Sequence, residues 1–84
     1  MGLIDQLRAD VAKLTDVSEG RRKVADYELS EAREASLRGD RPRLLEKLDG
    51  AQKILLGLGQ GIAAALTLAE TIGSLIQRVM GWGR

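Results

Sequence analysis

Three glutamates, Glu28, Glu31 and Glu34, recur at helical spacing within one polar stretch. Paired carboxylates do general acid–base chemistry when a cleft sets their environments apart. Here Glu34 has Arg38 four residues on, and Arg33 lies between Glu31 and Glu34. Such neighbours each add roughly 0.2–0.5 kcal/mol to a helix, so a solvated face accounts for the pattern. Ser18, Ser30, Ser36 and Ser74 are nucleophiles in type only, because the chain contains no His to activate them. Without Cys it has neither a thiolate nor a disulfide. A metal site would have to be built from carboxylates alone, and no loop carries the density that requires.

The segment 57–61, Gly-Leu-Gly-Gln-Gly, imitates a phosphate-binding loop. It lacks a preceding strand, the full glycine spacing and a Gly-Lys-Ser/Thr. Arg38-Gly39-Asp40 spells an adhesion tripeptide, but a glycine ending one helix and an aspartate capping the next explain it. The basic clusters at 21–23 and at Arg38, Arg41 and Arg43 are interleaved with acids and lack aromatic neighbours for base stacking. Nucleic acid is therefore not an expected partner. The residues point to no enzyme, no metal and no cofactor.

The elements that carry these residues read as helices throughout. The 84 residues have a net charge of +1, no Phe, one Tyr and one Trp, so any core must be aliphatic. Residues 1–49 hold eleven of the twelve acids and ten of the thirteen bases, which marks solvated helix faces. The opening MGLIDQLRAD lacks the basic-then-apolar order of a secretory signal. Gln6 stands where a myristoylation pattern has Ser or Thr. The expected location is cytoplasmic.

Ile4, Leu7, Val11 and Leu14, spaced three, four and three, predict an amphipathic helix over 3–15. Ser18 is a candidate cap for a second helix over 19–38, with Tyr27 and Leu29 as its anchors. Gly39, Asp40 and Pro42 end that helix and start another, folding the two into a hairpin. From Arg41 onward the pattern predicts a long C-terminal helical arm. We favour continuity or a mild kink at 57–61 over a separate helix at 62–80, since no Asn, Asp or Ser stands there to cap a new start. The fold class is all-α, in a single small domain spanning 1–84.

Small residues fall every fourth position at Gly57, Gly61, Ala65, Ala69 and Gly73. On a helical wheel, Gln60, Thr67, Glu70, Thr71, Ser74, Gln77 and Arg78 form a polar stripe opposite a wide apolar face. The longest uncharged run, 54–69, is shorter than the roughly 20 residues of a membrane span. The expectation is a helical interaction or oligomerisation module, either self-associating or bound to a helical partner. Its contact residues are Ile4, Leu7, Val11 and Leu14, then Gly57, Gly61, Ile62, Ala65, Leu66, Ala69, Ile72, Gly73 and Ile76. The alternative is a membrane-active amphipathic helix, at the interface or in a pore, with Trp82 as its anchor and peripheral membrane association. A further alternative is an accessory subunit that folds with its partner. The small-residue spacing over 57–73 resembles the glycine zippers of small helical cell-death domains in fungi and bacteria. Those carry the zipper near the N-terminus, whereas here it is C-terminal.

Overall fold

A computed structural model describes residues 2–15, 17–58 and 63–81. Its secondary structure consists of α1 (Leu3–Ala12), α2 (Glu19–Arg38), α3 (Arg41–Gly57) and α4 (Ala63–Met80). The fold is all-α, as the periodicity predicts. Ser18 caps α2 by accepting a hydrogen bond from the Arg21 amide. At the far end Gly39 takes φ 70°, a left-handed conformation that side chains resist. Its amide donates to the Ser36 carbonyl, and the Asp40 amide donates to the Ala35 carbonyl at 2.9 Å. That pair of bonds is a Schellman ending. Asp40 then accepts from the Arg43 amide and opens α3, with Pro42 in the first turn where its missing N–H is harmless.

Helix α1 ends at Ala12, three residues before the expected 15. Leu14 and Val17 continue in single turns and still bury their side chains. The larger departure is in the C-terminal half. There is no continuous arm: α3 closes at Gly57, with Leu58 as its cap, and α4 begins at Ala63. The two pack side by side, with the Gln52 side-chain amide donating to the Ala69 carbonyl at 3.1 Å. Three glycines within five residues weaken helix propagation by roughly 1 kcal/mol each. Folding back lets the aliphatic faces of both halves bury each other, and this outweighs the missing cap residue.

Neighbouring helices run antiparallel. Asp5 pairs with Arg33 and Arg8 with Asp26 across α1 and α2, while Glu31 pairs with Arg43 and Glu28 with Lys47 across α2 and α3. Helix α1 also touches α4, closing a four-helix ring whose diagonal pairs stay apart. The described residues span about 39 × 20 × 19 Å, a short rod consistent with helices lying along its length.

The core runs down the rod's axis. It takes Leu7 and Val11 from α1, Leu29 from α2, Leu44, Leu48 and Leu55 from α3, and Ile72 and Val79 from α4. Helix α2 otherwise buries only Ala25, Ala32 and Ala35, small side chains that bring its backbone close to its neighbours. Tyr27, expected as an anchor, is instead mostly exposed, its hydroxyl on Glu31 and its ring beside the Lys47 ammonium. It sits nearly opposite the face shared by Ala25, Leu29 and Ala32, and at that phase its hydroxyl reaches water. No polar or charged residue is buried among the described residues, so burial alone sets the packing.

Candidate interaction surface

Alternating helix directions gather four ends at one pole of the rod: the starts of α1 and α3 and the finishes of α2 and α4. They enclose a cleft of about 300 Å³. Its floor is aliphatic, made by Leu44, Leu48, Leu75 and Val79, all buried. At its rim Leu3 is 41% and Leu37 69% exposed. Its polar groups include Ser36 and the Asp5–Arg33 ion pair, whose Oδ1–Nε distance is 3.0 Å. An apolar hollow with a few polar groups at its mouth is the usual form of a binding site between bundle helices.

The second charged link of α1 is stronger in geometry. Arg8 Nε donates to Asp26 Oδ1 at 2.9 Å and Nη2 to Oδ2 at 3.3 Å, a two-point contact. The Arg8 pKa is raised above its ordinary value, chiefly by the hydrogen bond to Asp26. Attraction to Asp26 and Asp5 adds to this, and partial desolvation opposes it. Both side chains remain substantially exposed, so the pair locates α1 more than it stabilises it.

The residues expected to meet a partner divide into distinct groups. Leu7, Val11, Leu14, Ala65, Ala69 and Ile72 are buried in the chain's own core and are not open to another molecule. In these six the helical seams close on one another within the chain. Ile4, Leu66, Gly73 and Ile76 are half-buried. Gly57 is exposed, and a Cβ there would meet nothing within 4 Å. Gly61, Ile62 and Trp82 lie outside the described residues, as does Gln60 of the expected polar stripe.

The small-residue row is thus divided by the chain reversal. Ala65, Ala69 and Gly73 belong to α4, and Gly73 accommodates the Gln52 side chain of α3. A Cβ at position 73 would come to 2.8 Å from Gln52 Nε2. Because that atom ends a flexible side chain, Gly73→Ala is expected to displace it rather than to separate the helices. Loss of the Gln52 hydrogen bond, worth about 1 kcal/mol, is offset by about 1 kcal/mol of helix propensity. The thermal midpoint should therefore stay close to wild type. In a Gln52→Ala background the same substitution should raise stability by about 1 kcal/mol, which chemical denaturation can measure.

Sequence reasoning missed Leu3, Leu37 and the cleft's floor. The available signal was Leu37 itself, an aliphatic residue out of phase with Ala25, Leu29 and Ala32 in an otherwise polar helix. Among the described residues, no group of three His, Cys, Asp or Glu side chains is placed to hold a metal ion. Nor is any described helix long and apolar enough to cross a membrane.

Fold and cleft together define a small antiparallel helical bundle with an open, apolar end. No protein-family model matches the chain, and neither a curated protein nor a solved structure matches it.

Proposed function

We propose that this chain is a non-enzymatic helical self-association module in which two copies meet through the open end of the bundle. The observation that carries this reading is a projecting, mostly exposed Leu37 beside an aliphatic hollow on the same patch. A two-fold contact requires such a self-complementary surface, the knob of each copy entering the hollow of the other. The rim charges agree, since an acid and a base side by side, Asp5 and Arg33, face their opposites when the patch is rotated onto itself. A chain of 84 residues also has little surface to bury alone, and pairing adds to its stability.

The test is sedimentation equilibrium of the wild type and of Leu37→Lys. Lysine is a good helix former, suits a helix C-terminus and occupies an exposed site, so the bundle itself should persist. The wild type is expected to show a concentration-dependent dimer. The variant should dissociate at least about tenfold more readily, with an unchanged circular-dichroism melt. A wild type that sediments as a monomer up to millimolar concentration sinks the proposal, and so does a dimer indifferent to Leu37→Lys.

A further inference from the structure

Helix α1 is the least integrated of the four. It has ten residues against twenty, seventeen and eighteen, and it touches α2 and α4 but not α3. Only Leu7 and Val11 are buried along it, and no side chain caps its start. Clefts lie on both sides of its C-terminal end. One, of about 510 Å³, lies against α2 and is lined by Val11, Arg22 and Asp26 among others. The other, of about 330 Å³, lies against α4 between Lys13, Leu14 and Thr67, Leu68. The remaining bundle therefore receives α1 in a groove without closing over it. Leu14 and Val17 stay buried beyond its end, and Arg22 donates to the Leu14 carbonyl, so the connection is pinned where α1 stops.

We infer that α1 is a replaceable occupant of the α2–α4 groove, and that the groove accepts in its place a helix from another protein chain. The groove specifies the pattern of that helix. Two aliphatic side chains four residues apart fill the positions of Leu7 and Val11. An arginine faces Asp26 and a carboxylate one turn earlier faces Arg33, in the order that Asp5 and Arg8 show. Charge order along α2, negative at 26 and positive at 33, fixes an antiparallel direction for the incoming helix. Release of α1 leaves the α2–α3 and α3–α4 packing in place, the two most extensive helix pairs of the bundle. The inference does not rest on the two-fold contact at the bundle's end, although both involve the Asp5–Arg33 pair.

The probe is a fluorescein-labelled synthetic peptide of residues 2–15, titrated against the full chain and followed by anisotropy. A second full chain carries Asp5→Arg and Arg8→Glu, which set its own α1 against Arg33 and Asp26. Because the resident helix competes, the peptide is expected to bind this reversed chain at least about tenfold more tightly than the wild type. A peptide with the same two reversals should bind neither chain. Circular dichroism of the reversed chain should retain a cooperative melt and most of the helical signal, the loss being confined to about the α1 share. The inference is overturned if the peptide ignores the reversed chain, or if it binds both chains equally and so lies outside the groove. It is equally overturned if the reversed chain loses all helicity at once, since α1 would then be integral to the fold.

Discussion

Leu48→Ala is expected to lower stability by about 2–5 kcal/mol, through lost burial and the cavity left behind. Leu48 is fully buried near the middle of α3 as part of the aliphatic core, so truncating it removes core packing. For a chain of 84 residues, about 0.05–0.15 kcal/mol per residue gives a total margin near 4–13 kcal/mol. A single truncation thus removes a large share and can leave the chain partly unfolded at room temperature. Leu56→Ala, eight residues on in the same helix but half exposed, should change stability by only about 0.5 kcal/mol. Urea denaturation followed by circular dichroism separates the two through their midpoints at constant slope. Equal shifts would mean that Leu48 is not held in a closed core.

Enlarging a small residue tests the other half of the packing. Ala69→Leu is expected to destabilise by about 1–3 kcal/mol, because Ala69 is buried on the face of α4 that meets α3 and its carbonyl receives Gln52. Ala63→Leu adds the same side chain to the same helix at an exposed position and should be close to neutral. Thermal melts of both variants discriminate sharply. A neutral Ala69→Leu would mean that α3 and α4 can separate without loss, contrary to close approach through small residues. Gly57→Ala should not destabilise either, for a Cβ there meets open space despite its membership of the same four-residue spacing.

That contrast between Ala69 and Gly57 shows how far periodicity carries. A four-residue spacing describes a shared face only along one uninterrupted helix, and the chain reverses between the two positions. The capping residues were legible for a different reason. Ser18, Gly39 and Asp40 act on backbone groups within three to five residues, so their roles follow from local chemistry alone. The same local grounds favour continuity at Gly57, yet α3 ends there. The decisive contribution, burial of α3 against α4, comes from residues seventeen apart such as Gln52 and Ala69.

The sequence by itself determined the helical class, the aliphatic nature of the core and the α2–α3 hairpin. Each depends on side-chain type at short range: periodic apolar residues, the scarcity of aromatics, and a glycine that tolerates positive φ. Tertiary structure alone decided which apolar residues remain available. Leu7, Val11 and Ile72 promised a surface and became core, whereas Leu37, out of phase with its own helix, became the exposed edge of a cleft. The physical reason is that a helix offers several apolar directions at once. Burial goes to whichever direction meets another helix, and the arrangement of all four settles that together.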